Sequence, residues 1–262
     1  MMNNPKVTIV TASYNSEGTI KDTFYSVLSQ TYENMEHIIV DGGSTDNTMD
    51  IVKSYEGDYN GRLRWISEKD RGIYDALNKG ISMATGDIIG LLHSDDLLGG
   101  KDTIEKIVER FVTEDCDGVY GDLIFVEAED IQKVKRIWIA GKGKFELGWT
   151  IPHQTLYLKK EIYDKFGGYI ADMTNAADNE FILRVCKDGK IKTSYINDVL
   201  VIMKLGGAST KNIDSNKKGF KEVQISYEMH GIKFPYIINT LRLLSKSKQV
   251  VRARISNYKV NI

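Results

Sequence analysis

The chain of 262 residues has only two cysteines and three prolines, and its charges nearly cancel. Cys116 and Cys186 match no metal-binding or redox spacing, so we expect reduced thiols in a cytosolic protein. The formal net charge of −1 gives no reason to expect nucleic acid as a partner. No stretch approaches the roughly 20 apolar residues that span a membrane, and the start lacks the apolar core of a signal peptide. These absences predict a cytoplasmic protein.

Two nucleotide-binding fingerprints are also missing. The first apolar run ends in Thr11-Ala12-Ser13-Tyr14-Asn15, which contains no G-x-G-x-x-G. This argues against a dinucleotide-dependent oxidoreductase. The chain has no G-x-x-x-x-G-K-[ST] either, which argues against a P-loop NTPase. A bound nucleotide would therefore be held through its base, its ribose and a metal ion on its phosphates.

Short apolar runs alternate with amphipathic segments through the first half of the chain. This order predicts βαβ units and a mostly parallel sheet flanked by helices, an α/β fold. Apolar residues at helical spacing, such as Ile20, Phe24 and Val27, mark the intervening helices. The four predicted strands are Val7–Thr11, Glu36–Val40, Leu63–Ile66 and Ile88–Leu92.

Each of these four runs ends in polar residues. The carboxyl ends of parallel strands share one edge of a sheet, where ligands bind in α/β proteins, so the convergence predicts a site. Asp95 and Asp96 offer the hard oxygen ligands that suit Mg²⁺ or Mn²⁺; the alternative is an acidic helix start. The polar residues are Tyr14 and Asn15, Asp41, Asp70 and Arg71, and Asp95 and Asp96.

Taken together, these segments resemble the large inverting glycosyltransferase family 2, with its GT-A fold. The resemblance covers the first half closely and implies a nucleoside-diphosphate sugar donor, of UDP or GDP type, and a divalent cation, Mn²⁺ or Mg²⁺. It also implies a GT-A domain over residues 1–228, with a nucleotide-sugar-binding half (1–115) and an acceptor-binding half (116–228). The segments are Val7–Asn15, Ile38–Thr48, Asp70–Gly80 and Leu92–Asp96.

The resemblance also implies roles for residues of the first half. Tyr14 packs near the base, Asp41 accepts from a ring N–H of the base, Asp95 reaches the ribose and Asp96 binds the metal. The acidic motif, commonly Asp-x-Asp, is Ser94-Asp95-Asp96 here, which leaves the division of labour between the two carboxylates open. The remaining expected donor contacts are Ala12, Asp70 and Asn78, with Arg71 or Lys79 facing the diphosphate; the alternative for Arg71 and Lys79 is a solvated surface.

Two stretches of the second half carry further candidates. Pro152-His153-Gln154 resembles a segment of polysaccharide-assembling members, so His153 is expected to contact the diphosphate or the acceptor, unless it is structural. Asp178 matches the family's acidic general base at the start of a helix, and Glu180 is the second choice. The alternative is that both acids favour the helix N-terminus electrostatically.

The last stretch, residues 229–262, contains no acidic residue, and its lysines and arginines alternate with apolar residues. Such a basic amphipathic extension can lie on an anionic membrane surface, here the inner face. It can equally form a C-terminal helix that packs on the domain. The sequence leaves a homodimer open.

The function predicted from these observations is inverting sugar transfer to a hydroxyl of a glycan or lipid-linked acceptor, by single displacement. A metal on Asp96 would stabilise the leaving diphosphate and Asp178 would take the acceptor's proton. The assignment to polysaccharide biosynthesis rests on analogy. One alternative is a nucleotidyltransferase, which usually has a loop rich in glycine and basic residues after strand one. The other is a non-catalytic nucleotide-sugar-binding subunit.

Overall fold

The computed structural model describes residues 4–206, 213–256 and 258–260, with the side chains of 213–216 left out. Within them, nine strands form one sheet and eight α-helices flank it. The strands are β1 (Val7–Ser13), β2 (Met35–Asp41), β3 (Leu63–Ser67), β4 (Ile88–Leu91), β5 (Leu97–Leu98), β6 (Gly118–Glu127), β7 (Asp130–Trp138), β8 (Tyr157–Lys159) and β9 (Thr193–Lys204).

The helices alternate with the strands in the first half and gather at the end of the second. A π-helical turn, Leu183–Asp188, continues the sixth helix, and short 3₁₀ turns lie at Phe145–Leu147 and His153–Thr155. The helices are α1 (Ile20–Leu28), α2 (Thr48–Ser54), α3 (Ile73–Met83), α4 (Thr103–Thr113), α5 (Lys160–Phe166), α6 (Ala177–Ile182), α7 (Ile213–Met229) and α8 (Pro235–Ile255).

The sheet has the order β3-β2-β1-β4-β8-β6-β9-β5, with β7 paired to β6. Its first four strands are all parallel. Every residue of β1, β2 and β4 is buried, as expected for strands covered on both faces. Gly80 lets α3 approach this part closely, since a Cβ there would lie 2.2 Å from a methyl carbon of Val10.

The other half of the sheet is mixed. β8 runs antiparallel to β4 and β6, β7 runs antiparallel to β6, and β9 runs parallel to β6 but antiparallel to β5. The α/β class and the helix-flanked sheet are confirmed, whereas "mostly parallel" describes only the strands of the first half. The predicted division into two halves stays a prediction, because one sheet runs through both.

The C-terminal extension is largely helical, as predicted. α8 packs along β7, and α7 packs on α6 and α8. The inner face of α8 includes the buried Ile238, Asn239 and Ala253. Among the described residues, no helix is long and apolar enough to cross a membrane.

Candidate active site

The loops after β1, β2, β3 and β4 contact one another at one edge of the sheet. The Gly42 amide donates to the Ser13 carbonyl at 2.9 Å, and the hydroxyls of Ser16 and Ser94 are 2.8 Å apart. A Cβ on Gly42 would lie 3.2 Å from Asp70 Oδ2 and 3.5 Å from the Tyr14 ring. The expected convergence of the polar strand ends is therefore present.

Tyr14 and Asp70 flank an open face beside Gly42. The Tyr14 ring is 63% exposed although it follows a buried strand. Asp70 is nearly buried, and its Oδ1 contacts Lys79 Nζ, which also pairs with Glu68 at 2.7 Å. Lys79 thus pairs with acids rather than standing free. An exposed aromatic face next to a fixed carboxylate suits a planar ring that carries N–H groups.

Asp41 ends β2 and lies beneath this face, fully buried. Its Oδ1 accepts from Ser13 Oγ at 3.3 Å and from Ser44 Oγ. Its Oδ2 accepts from the amides of Gly43 and Ser44 at 3.1 and 2.9 Å and from Ser67 Oγ at 2.7 Å. The carboxylate therefore holds the loop after β2 in shape. Ala12, near the end of β1, is also buried.

Asp95 and Asp96 differ sharply in their surroundings. Asp96 is 1% exposed, and its carboxylate accepts from Gln154 Nε2 at 2.7 Å and from the Lys204 amide at 3.0 Å. Asp95 is half-buried, and among the described residues only its own backbone amide is seen to donate to its side chain. Burial raises the pKa of both carboxyls, and the Asp95 charge raises that of Asp96 further. Asp95 is thus the carboxylate that reaches the open side.

A divalent cation fits this place on the chemistry of its donors. Mg²⁺ and Mn²⁺ are commonly held by one or two carboxylates, with substrate phosphates completing the shell. Asp95 supplies such an oxygen. Lys204 lies near Asp95, and its nearly buried side chain pairs with Asp22. The described residues contain no group of three His, Cys, Asp or Glu side chains arranged to hold a metal alone.

Asp178 lies in the first turn of α6 and is bound by two donors. Its Oδ2 is 3.1 Å from His153 Nδ1, and its Oδ1 accepts from the Tyr74 hydroxyl at 3.1 Å. The side chain is 26% exposed. Burial acts to raise the pKa of Asp178, but the hydrogen bonds of His153, the Asn179 amide and Tyr74 outweigh it and lower the pKa. Asp178 is therefore an ionised, oriented carboxylate that solvent can reach.

A second histidine extends this contact. His93 Nε2 lies 3.2 Å from His153 Nε2, and His93 Nδ1 is buried without a partner among the described residues. Burial and the neighbouring His153 lower the pKa of His93 to about 3, so the ring is neutral. If His153 donates to Asp178 through Nδ1, neutral His93 donates to it in turn through Nε2. The result is a line of three side chains from the loop after β4 to α6.

Glu180 lies two residues after Asp178, on a different face of α6, and is 1% exposed. It forms a two-point ion pair with Arg184, with both N–O distances 2.9 Å, and its Oε1 is 3.2 Å from His230 Nε2. Arg184 also donates to the carbonyls of Phe166 and Gly168. Glu180 thus ties α6 to the preceding turn, and this geometry favours Asp178 as the proton acceptor.

Asn78 and Arg71 take different positions from those expected. Both polar atoms of the Asn78 amide bind the backbone of Tyr169, at 2.8 and 2.7 Å, which joins α3 to the turn before α6. Gly168 permits this, since a Cβ there would lie 2.2 Å from Asn78 Oδ1. Arg71, just before α3, is 72% exposed and pairs with Asp75 in the first turn of that helix. Their expected donor contacts stay predictions.

Four side chains of the site were not singled out from the sequence. Gln154 donates to Asp96 and positions it. Tyr74 binds Asp178 directly, and His93 reaches it through His153. Lys204 lies beside Asp95. Tyr74 and His93 lie within segments that carry the family resemblance, and Gln154 follows His153, so closeness to recognised motifs could have pointed to all three. Lys204 carries no such signal, since only the tertiary fold brings it to the site.

Comparisons with known proteins agree with this geometry. A family model described as "Glycosyl transferase family 2" matches residues 8–176. An uncharacterized glycosyltransferase of Mycobacterium tuberculosis is 34% identical over 206 residues, which cover 73% of this chain and 74% of that protein. A PGL/p-HBAD biosynthesis glycosyltransferase of Mycobacterium bovis is 28% identical over 242 residues, 89% and 90% of the two chains.

Solved structures share the fold at low sequence identity. S. aureus TarS superposes with a TM-score of 0.65 and 15% identity over 93% of this chain, but the match spans only 43% of TarS; its 1–349 fragment was also solved with UDP. The mannosyltransferase PcManGT of Pyrobaculum calidifontis, in complex with GDP-Man and Mn²⁺, gives a TM-score of 0.65 and 18% identity over 97% of this chain and 71% of that one.

Proposed function

The chain belongs to glycosyl transferase family 2, and from this membership we propose that it moves a sugar from a nucleoside-diphosphate sugar to an acceptor hydroxyl with inversion. The enzyme is a glycosyltransferase with the GT-A fold. The observation that carries the finer proposal is Asp178, an oriented carboxylate reachable from solvent and joined through His93 and His153 to the loop that holds Asp95.

The donor nucleotide is proposed to bind on the open face beside Gly42. Tyr14 offers its exposed ring to the base. Asp70 Oδ2, next to Gly42, has no hydrogen-bond donor among the described residues and can accept from an N–H of the base, whereas the Asp41 oxygens already accept from the chain itself. This supports Asp70 for the base contact expected of Asp41. The solved neighbours hold UDP in one case and GDP-Man in another, so both donor types remain candidates.

The divalent cation, Mn²⁺ or Mg²⁺, is proposed to bind Asp95. The burial of Asp96 favours Asp95 as the ligand, in place of the ribose contact expected for it from the sequence. Asp96 then supports the loop by binding Gln154 and the Lys204 amide. When bound, such a cation neutralises negative charge on a diphosphate leaving group.

Asp178 is proposed as the general base. Its ionised carboxylate accepts the proton of the acceptor hydroxyl as that oxygen attacks the anomeric carbon. One displacement from the face opposite the diphosphate inverts the anomeric configuration. Tyr74 and His153 bind one oxygen each, which fixes the plane of the carboxylate.

The acceptor is proposed to be a glycan or a lipid-linked molecule, reached from the inner face of the membrane. α8 presents an apolar stripe to solvent, and no acidic residue occurs between Met229 and Ile262. Exposed apolar residues with basic neighbours suit an anionic membrane surface. The stripe consists of Ile237, Leu241, Leu244, Val251 and Ile255.

The test is Asp178→Asn, which keeps the shape of the side chain but cannot take a proton. We expect sugar transfer to fall by at least a hundredfold, while a nucleoside diphosphate with Mg²⁺ still raises the melting temperature as in the wild type. Asp172→Asn, on the preceding loop, is the matched control. Transfer by Asp178→Asn at close to the wild-type rate would exclude Asp178 as the base.

A further inference from the structure

His93 has no role in the chemistry proposed above, although its ring faces that of His153. The ring centroids are 5.4 Å apart, and the two Nε2 atoms lie 3.2 Å from each other. A contact between two imidazole nitrogens is attractive only when one of them donates a proton and the other accepts it. The positions of the protons in this pair therefore decide what His153 offers to Asp178.

Buried hydrogen bonds of Gln154 hold the two histidines in this arrangement. Gln154 follows His153 in the same 3₁₀ turn and is fully buried. Its Oε1 accepts from the backbone amide of His93 at 2.9 Å, and its Nε2 donates to Asp96 Oδ2 at 2.7 Å. The turn that carries His153 is therefore tied to the loop that carries His93.

The other nitrogen of His93 indicates which ring donates. His93 Nδ1 is buried and has no hydrogen-bond partner among the described residues. A neutral imidazole has one N–H and one lone pair, and a buried N–H without an acceptor is rarer than a buried acceptor without a donor. The proton of His93 therefore belongs on Nε2, which leaves only the lone pair of Nδ1 unpaired. His93 Nε2 then donates to His153 Nε2.

This donor determines what the His153 ring presents to Asp178. The hydrogen bond at one ring nitrogen decides where the proton of the ring lies, so a His153 ring that accepts at Nε2 has its proton on Nδ1. Nδ1 lies 3.1 Å from Asp178 Oδ2 and donates to it. With the proton on Nε2 instead, the lone pair of Nδ1 would face a negative oxygen and repel it. Only one tautomer of His153 therefore binds Asp178.

We propose that His93 is a positioning residue, which holds the proton of His153 on Nδ1 and so keeps His153 as a hydrogen-bond donor to Asp178. This rests on the proposed function, in which Asp178 is the general base, and adds a residue that acts only through His153. No proton moves along the line of three side chains. The acceptor's proton goes to Asp178, and His93 selects the tautomer of its neighbour.

The experiment reads the tautomers by ¹⁵N NMR of the imidazole rings in the full chain, at about pH 8, where an ordinary histidine is neutral. The chain has only four histidines, so single substitutions assign their signals. His93→Phe keeps a ring but cannot donate, and His93→Gln places an amide nitrogen where Nε2 stood. His37→Gln is the matched control, because it removes another buried histidine, whose ring binds Thr11 and Tyr59.

We expect the His153 ring of the wild type, His93→Gln and His37→Gln to have its proton on Nδ1 and an unprotonated Nε2. In His93→Phe, a proton should appear on His153 Nε2. We expect kcat of His93→Phe to fall about tenfold, as when the partner that orients a functional histidine is removed, with the KM for the donor unchanged. The kcat of His93→Gln should lie much closer to that of the wild type.

A wild-type His153 ring with a proton on Nε2 would overturn the proposal, and this result does not require any variant to fold. A His93→Phe protein that keeps the His153 proton on Nδ1 alone, or that loses it without a fall in kcat, would also overturn it. Failure of the proposed function has a different sign, since Asp178→Asn would then transfer sugar at the wild-type rate. The spectra would still show whether His93 sets the tautomer of His153.

Discussion

His153 and Asp178 form a contact between the 3₁₀ turn after Pro152 and the first turn of α6, with Nδ1 3.1 Å from Oδ2. The two residues were expected separately, one as an acceptor or diphosphate contact and the other as the base. We infer a positioning role for His153, because it binds one oxygen of Asp178 while Tyr74 binds the other, and the two contacts together orient the carboxylate.

His153→Leu is predicted to move the acidic limb of the pH–rate profile to higher pH. Burial pushes the pKa of Asp178 up and the His153 hydrogen bond is the largest influence that lowers it, so its removal raises the pKa. Asp178 then becomes protonated at a higher pH and loses its function as a base there. We also expect kcat to fall about tenfold or more, with nucleoside-diphosphate binding unchanged.

His153→Asn is the matched variant, since its amide nitrogen can occupy the place of Nδ1. It should keep the acidic limb close to that of the wild type. If the acidic limb of the pH–rate profile lies at the wild-type pH in both variants, His153 does not act through Asp178.

Asp95→Asn and Asp96→Asn are predicted to have different effects, one on metal binding and the other on the stability of the free protein. Asp95→Asn should abolish the extra stabilisation that Mg²⁺ or Mn²⁺ gives in the presence of a nucleoside diphosphate, with little change in the melting temperature of the free protein. Asp96→Asn should lower the stability of the free protein by about 1–3 kcal/mol, because an amide nitrogen would face a buried donor. Thermal unfolding with and without metal distinguishes them. Loss of the metal effect in a fully stable Asp96→Asn protein would assign the cation to Asp96.

The stability of the protein is predicted to fall as the pH drops from 7 to 5, with His37 as a main cause. Its ring is fully buried between Thr11 and Tyr59, and burial lowers its pKa to about 3. In this range the unfolded chain, with a histidine pKa near 6.5, binds a proton that the folded chain excludes, so stability rises with pH. The contribution is about 2 kcal/mol between pH 7 and pH 5.

Urea unfolding at several pH values checks this prediction. His37→Gln should be less stable at pH 7 but should have a flatter profile down to pH 5. Burial acts to raise the pKa of Glu36, but hydrogen bonds from Thr8, Thr85 and Lys6 lower it to about 2. Glu36 therefore loses its contribution to stability only below about pH 4.5. His230, whose pKa is raised by its bond to Glu180, acts in the opposite sense as the pH rises above 6.5. A His37→Gln profile as steep as that of the wild type would exclude His37 as the cause.

The parallel half of the fold could be predicted because each of its strands is a local apolar run bounded by polar residues. The mixed half could not, since the position of β8 between β4 and β6 depends on contacts between distant segments. The same limit applies to the site. Asp95 and Asp96 are adjacent and look equivalent in the sequence, but Gln154, 58 positions after Asp96, binds only one of them.

The basic extension shows the limit in another way. Its pattern predicts an amphipathic helix, and α8 is one. Nothing in the pattern says which residues of the helix face inward, because that depends on β7, against which α8 packs.

The outer face of α8 leads to a prediction about membranes. Leu241 and Leu244 are exposed at the centre of the apolar stripe, whereas Ile238 and Asn239 on the same helix are buried. We expect the protein to float with vesicles that contain anionic lipid, and not with purely zwitterionic vesicles, because the neighbouring lysines and arginines need a negative surface. Leu241→Gln with Leu244→Gln should reduce flotation strongly, since apolar burial supplies the rest of the binding.

The double variant changes only exposed side chains, so its melting temperature should stay close to that of the wild type. Lys248→Gln should weaken flotation less than the double variant does. The effect of Lys248→Gln should be larger at low salt than at high salt, because the attraction to anionic lipid is then less screened. The alternative occupant of the stripe is a second copy of the chain. Light scattering distinguishes the two: if the double variant converts a dimer to a monomer and flotation does not change, the stripe is a subunit interface and the membrane proposal is wrong.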